Sequence, residues 1–204
     1  MTVANYNLDK IKKLILNLHK PSKTNNTILL ILSGLPGTGK SYLADLIATN
    51  LPVTVIETDF IRKHLFKQPT YSWKENSSVF SLCHSLIEEL LTNKISVLVD
   101  ATNLLRQNRK QLYQIAKTNK SAILLIALTA PENIVIERLN QRTSKQNLNN
   151  SSADVDVYKK LKRTAQPILR KHYCLDSSSD LKPQLQKLLQ KANLLLADKK
   201  THTY

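Results

Sequence analysis

The chain has 204 residues, with 30 Lys or Arg against 15 Asp or Glu, and its two cysteines, Cys83 and Cys174, lie far apart. That length suits one domain with a substantial core, and two isolated cysteines in apolar contexts give neither a disulfide framework nor a thiolate metal site. The longest aliphatic run, Ala122 to Leu128, is too short to span a bilayer, and lysines interrupt Leu8 to Lys20. A soluble, cytoplasmic protein without membrane span or signal peptide is therefore expected. The charge is uneven: residues 1–26 carry five basic and one acidic side chain, 27–104 six and seven, and 105–204 nineteen and seven. A basic C-terminal half suits an anionic partner, or is simply a solvated lysine-rich surface.

Leu8, Ile11, Leu14, Ile15 and Leu18 share one face of an amphipathic helix that ends near Lys20-Pro21, and Pro21 to Asn26 reads as a polar linker. Residues 1–26 thus form an N-terminal helix and linker, and 27–204 the main domain. Leu29 to Leu32 is a strand buried on both faces, and helical spacing returns from Tyr42 to Thr49. Between them, Gly34 to Ser41 has the Gly-x-x-x-x-Gly-Lys-Ser spacing of a phosphate-binding loop in its required strand-to-helix setting. All three glycines of the chain, Gly34, Gly37 and Gly39, fall in these eight residues. With Thr38 they would turn backbone N–H groups onto a polyphosphate. Lys40 would neutralise the β- and γ-phosphates and Ser41 would be a ligand of Mg²⁺.

Val53 to Ile56 is a second strand, followed by Thr58-Asp59-Phe60-Ile61-Arg62. A polar stretch runs from Gln68 to Ser78, then an amphipathic helix over Val79 to Leu91. Ile95 to Val99 is the third strand and ends at Asp100-Ala101-Thr102-Asn103. A helix over about Arg106 to Thr118 leads to the fourth strand, Ala122 to Leu128. Thr129 and Glu132 have capping-box spacing around Pro131, which predicts a helix to about Gln141. Arg142 to Ser152, rich in Ser, Asn and Gln, reads as a mobile surface loop, so residues around 138–153 are a candidate lid. A further helix starts after Ser151 with Asp154 in its first turn, His172 to Leu175 is a fifth strand, and Leu181 to Leu196 closes the chain. Strands alternating with helices predict a three-layer α/β sandwich with a mainly parallel five-stranded sheet.

Ligands of such sheets bind beyond the carboxyl ends of the strands, and three polar clusters fall at three such ends. Asp59 there would accept the proton of an acceptor hydroxyl, with Arg62 one turn on to clamp the acceptor, or it would cap a helix. Asp100 would hold Mg²⁺, or cap the next helix. Arg138 and Arg142, one turn apart, would fold over the transferring phosphate or stack on the nucleotide base, or form a solvated face. A motor ATPase is disfavoured, because Ala101 stands where a water-activating glutamate would follow Asp100. A GTPase is disfavoured because Asn119-Lys120-Ser121-Ala122 lacks the guanine-reading aspartate.

Gly-Leu-Pro-Gly-Thr-Gly-Lys-Ser, Thr-Asp-Phe-Ile-Arg, Val-Leu-Val-Asp-Ala-Thr-Asn and Glu-Arg-Leu-Asn-Gln-Arg together resemble P-loop kinases of the polynucleotide 5′-hydroxyl kinase and zeta-toxin-like type, often labelled AAA-family ATPases. The resemblance covers roughly Thr27 to Leu189. It implies strand order 2-3-1-4-5, ATP and Mg²⁺ as cofactors, Asp59 as general base, and Arg62 on an acceptor phosphate. It also implies Thr102 and Asn103 near the acceptor, and Arg138 and Arg142 as lid arginines. The expected activity is transfer of the γ-phosphate to a hydroxyl. The acceptor would be a polynucleotide 5′-end or, alternatively, a small molecule or nucleotide sugar. A nucleotide-binding module without transfer activity is a further alternative.

Overall fold

The computed structural model of the chain describes residues 10–17, 22–144 and 154–197. In chain order the elements are α1 (10–17), β1 (Ile28–Ser33), α2 (Lys40–Asn50), β2 (Val53–Glu57), α3 (Thr58–Leu65) and α4 (Trp73–Thr92). There follow β3 (Ser96–Asp100), α5 (Arg106–Thr118), β4 (Ala122–Thr129), α6 (Glu132–Ser144), α7 (Val155–Thr164), β5 (Tyr173–Asp176) and α8 (Lys182–Ala197). The strands form one sheet in the order β2-β3-β1-β4-β5, and every pairing is parallel. This is the three-layer arrangement and strand order expected, with helices on both faces.

The central strand shows why the sheet must be covered twice. All six residues of β1 are buried, and successive side chains of a strand point to opposite faces. Leu29 and Ile31 therefore enter a cluster with Val79, Leu86 and Ile87 of α4, Leu112 of α5, and Ile11 and Ile15 of α1. Ile28, Leu30 and Leu32 enter the other, with Leu43 and Ile47 of α2 and Leu185 and Leu188 of α8. Burying a large aliphatic side chain is worth about 1.5–3 kcal/mol, so β1 anchors both layers and fixes the height of the loop that follows it.

The N-terminal segment is part of this packing. Ile11 and Ile15 are buried, and Lys12 pairs with Glu89 of α4. The segment read as a linker is pinned too: the Thr24 amide donates to the Lys94 carbonyl at 2.9 Å, and Lys23 bridges Ile95. The ends of the expected N-terminal helix and most of the expected loop over 142–152 lie outside the described residues.

Three local expectations are corrected. The polar stretch before Val79 is not all loop, since α4 starts at Trp73 with Ser72 as its N-cap, its side chain accepting from the Glu75 amide at 3.4 Å. Asp154 does not sit inside the first turn of α7 but is its N-cap, with Oδ1 accepting from the Val157 amide at 2.9 Å. Thr129 does not cap α6: its hydroxyl donates to the Leu175 carbonyl at 3.3 Å, and α6 opens at Glu132 and runs on to Ser144.

Candidate active site

The loop between β1 and α2 has a shape that only glycine supplies at its two ends. A β-carbon at Gly34 would lie 2.5 Å from the Leu128 carbonyl oxygen at the end of β4. Gly39 precedes α2 at φ +87°, in the left-handed region that costs other residues steric strain. Inside the loop the Leu35 carbonyl accepts from the Thr38 hydroxyl at 2.8 Å and from Lys40 Nζ at 2.9 Å. The Lys40 ammonium is thereby held over the loop. Burial pushes its pKa down to about 8, against the attraction of Asp100 and Asp59, and Arg142 adds repulsion.

Asp100 ends β3 and is 5% exposed. Burial pushes its carboxyl up, while Lys40 and the Ser41 hydroxyl hold it down, and Asp59 pushes it up again. Lys40, Ser41, Asp59 and Asp100 therefore converge on one spot, at the head of a cleft of about 1130 Å³. Asp59 lies in the first turn of α3, whose N-cap is Glu57, so it is not the capping residue of that helix. Arg142 and Thr102 also line the cleft.

The other named residues are used differently. Arg62 lines the cleft but is 4% exposed, and its guanidinium is already engaged. Nη1 donates to Glu75 Oε1 at 2.6 Å, Nη2 donates to Asn76 Oδ1 at 2.8 Å, and the Tyr71 ring lies 4.5 Å away. Nε has no hydrogen-bond partner and faces Asp59 Oδ1 at 4.0 Å. Glu75 is itself buried, and its Oε2 accepts from the Thr70 amide at 2.7 Å and hydroxyl at 2.9 Å. Burial would raise the Glu75 pKa, but these donors and the guanidinium bring it down to about 2.

Asn103 does not line the cleft. It is 1% exposed at φ 45°, and its Nδ2 donates to the Leu32 carbonyl at 2.7 Å, which locks the end of β3 beneath the phosphate-binding loop. Arg138 is turned toward Ser177 instead, donating through Nη1 to its hydroxyl at 2.9 Å and through Nη2 to its carbonyl at 2.8 Å. It reaches within about 4.0 Å of a β-carbon built on Gly39, so it borders the loop from the β5 side.

Two buried charged residues were not singled out in the sequence. Glu75 had a readable signal, since Ser72-x-x-Glu75 is a capping-box pattern. Arg109 had none. It is 2% exposed, and its guanidinium donates to the carbonyls of Asn103, Leu104, Gln166 and Pro167, at 2.8 to 3.1 Å. It ties the turn after β3 to the segment after α7.

A model of an AAA domain family matches residues 29–168. The L-seryl-tRNA(Sec) kinase of Methanococcus maripaludis is 33% identical over 120 residues, which is 58% of this chain; the match spans 47% of that protein, about half its length. Among solved structures, the APS kinase of Mycobacterium tuberculosis, solved with AMPPNP and APS, superposes with a TM-score of 0.62 at 16% identity, over 82% of this chain and 98% of that one. A gluconokinase from Sinorhizobium meliloti gives 0.58 at 20% identity, over 85% and 95%. At these identities the likeness is one of fold, that of P-loop kinases.

Proposed function

The chain belongs to the AAA domain family that its residues 29–168 match, and from that premise we propose that it is an ATP-dependent phosphotransferase acting on a hydroxyl. The observation that carries the reading is the convergence of Lys40, Ser41, Asp59 and Asp100 at the head of a cleft that runs on along α4 and α5. A nucleotide-binding module would need the first two. A carboxylate in the first turn of α3, facing both the loop lysine and the cleft, is what transfer adds.

In this reading ATP lies with its phosphates in the Gly34–Ser41 loop. Lys40 leaves the Leu35 carbonyl for the β- and γ-phosphates, where its charge is offset. Ser41 and Asp100 suit Mg²⁺: a buried carboxylate beside a hydroxyl is an oxygen donor set for a hard cation, and its pushed-up pKa marks a charge in want of a counter-charge. That ion would neutralise charge on the phosphate oxygens. Asp59 takes the proton of the acceptor hydroxyl as the new O–P bond forms, the bond from the γ-phosphorus to the bridging oxygen breaks, and ADP leaves. Arg142, from the cleft wall, meets charge on the transferring group. Arg138, held at Ser177, borders the nucleotide from the other side.

The acceptor has two candidate classes. A relative named for a seryl-tRNA supports a hydroxyl carried on RNA, of which a polynucleotide 5′-end is another form. A small molecule or nucleotide sugar is the alternative, supported by a cleft lined by four acidic and four basic side chains, without the excess of positive charge that a phosphate chain selects. Screening [γ-³²P]ATP against RNA and DNA oligonucleotides, aminoacylated tRNA, nucleosides, sugars and nucleotide sugars tests the reading. Lys40→Ala should abolish transfer, and Asp59→Asn should slow it by roughly 10²- to 10⁴-fold with ATP binding intact. Full turnover in Asp59→Asn would remove that carboxylate from the chemistry.

A further inference from the structure

The chain has a single tryptophan, Trp73, and it stands 84% exposed at the first position of α4, on the wall of the cleft. Among the described residues, no packing contact explains a large ring there. Ser72 caps the helix, and α4 packs on the sheet through a different face, with Val79, Leu82, Cys83 and Leu86. Phe80 and His84 follow on the cleft wall, their ring centroids 6.2 Å apart. Positions 73, 80 and 84 fall two turns and then one turn apart, so the three rings form one stripe. Burial holds the His84 imidazole below its ordinary pKa, in the uncharged form near neutrality.

The α5 wall of the same cleft carries a second stripe of different chemistry. Gln107, Gln111 and Gln114 recur at helical spacing, all exposed and all lining the cleft. Each amide offers donors and an acceptor without charge. Rings on one wall and amides on the other match a ligand with two flat π-faces and a hydrogen-bonding edge. The lining carries no excess of positive charge to favour a phosphate chain beyond the loop, so its rings and amides favour a base.

We infer that the outer cleft between α4 and α5 is a nucleobase-binding site, with Trp73 as its stacking platform, and that the phosphoryl acceptor carries a base. The inference rests on the kinase reading only in calling the ligand an acceptor. Base–aromatic stacking contributes enough to be read directly, about 10- to 100-fold in affinity for one ring removed.

The lone tryptophan makes the test direct. With the phosphate-binding loop saturated by AMPPNP, the fluorescence of Trp73 is titrated with the four ribonucleosides, a mixed-sequence hexaribonucleotide, the abasic form of that strand, and gluconate. Nucleosides and hexamer should quench, and the abasic strand and gluconate should not. Similar quenching by nucleosides and hexamer assigns a base-bearing small molecule; quenching by the hexamer at much lower concentration assigns a strand. Because Trp73 is exposed, Trp73→Ala should melt within about 1 °C of the parent and bind AMPPNP equally, yet raise the KM of a base-bearing acceptor about 10- to 100-fold with kcat little changed. Base-specific quenching without any transfer leaves the site in place and refutes the kinase reading alone. Equal quenching by the abasic strand, no quenching at all, or an unchanged acceptor KM in Trp73→Ala overturns the nucleobase site.

Discussion

Glu75→Gln removes one charge from a buried pair and leaves the Arg62 guanidinium only the more distant Asp59, 4.0 Å from Nε, as a counter-ion. Stripping one partner from a buried ion pair costs about 3–5 kcal/mol, far more than losing an exposed one. The lower figure applies here, since Asp59 remains nearby and the one carbonyl oxygen of glutamine can still accept from Nη1 or from Thr70, though not from both. About 3 kcal/mol should lower the melting temperature of a chain of this size by about 6–12 °C. The pH dependence separates the charge from the shape. Glu75 sits at a pKa of about 2 in the fold against 4.5 unfolded, so its contribution is complete above pH 4.5 and is lost as pH falls toward 2. The stability gap between parent and variant, by urea titration, should therefore narrow by on the order of 1 kcal/mol between pH 7 and pH 3.5. A gap below about 0.5 kcal/mol at pH 7, or one that is constant down to pH 3.5, would refute the account of Arg62 and Glu75 as a buried, charge-dependent latch. Arg62→Met with Glu75→Leu should restore most of the loss, as apolar replacements of buried pairs commonly do.

Lys40, with a pKa pushed down to about 8, should bind ATP as the ammonium, so affinity should fall as pH rises through 8, and calorimetry in buffers of different ionisation enthalpy should show proton uptake near pH 8.5. The sign follows from the phosphates favouring the charged form; proton release on binding would contradict it. Arg142→Ala should reduce kcat more than it weakens ATP binding without acceptor, and equal losses would make it a ground-state contact. Deleting residues 1–20 removes Ile11 and Ile15 from the core and should cost several kcal/mol by denaturant titration, on the order of 1.5–3 for each side chain, while transfer stays measurable. A folded but inactive truncation would place α1 in the active site. If the acceptor is a strand, its affinity should fall with salt by about 0.7 log units per log unit for each phosphate contacted, and a flat salt series would leave the basic surface without that partner.

The inner strands β1, β3 and β4 were legible because they are short, mainly aliphatic runs suited to burial on both faces, and the loop motif because it sits between a strand and a helix. The head of the cleft was legible for a related reason: Lys40, Ser41 and Asp59 come soon after strand ends and Asp100 closes a strand, so topology gathers them. What hid Glu75 and Arg109 is that their partners come from elsewhere in the chain, Arg62 thirteen residues before Glu75 and Gln166 57 residues after Arg109. Pattern reading has no access to such pairings. Asn103 was drawn to the acceptor by its neighbours, whereas its positive φ, which asparagine tolerates, turns the side chain under β1. Arg62 carried the right position and an unsuspected commitment: the fork that would grip an anion is filled by Glu75 and Asn76.

Arg109 donates to four main-chain carbonyls, drawn from residues 103–104 on one side and 166–167 on the other. That part of the fastening is blind to the side chains of the four residues it grips. Leu104, Gln166 and their neighbours can change without loosening it, and the one part that has no substitute is the planar five-donor head itself, since a lysine ammonium cannot span two segments at once. A fold fastened in this way can have the walls of its cleft rewritten for a new ligand, residue by residue, while the joint beneath them keeps its shape.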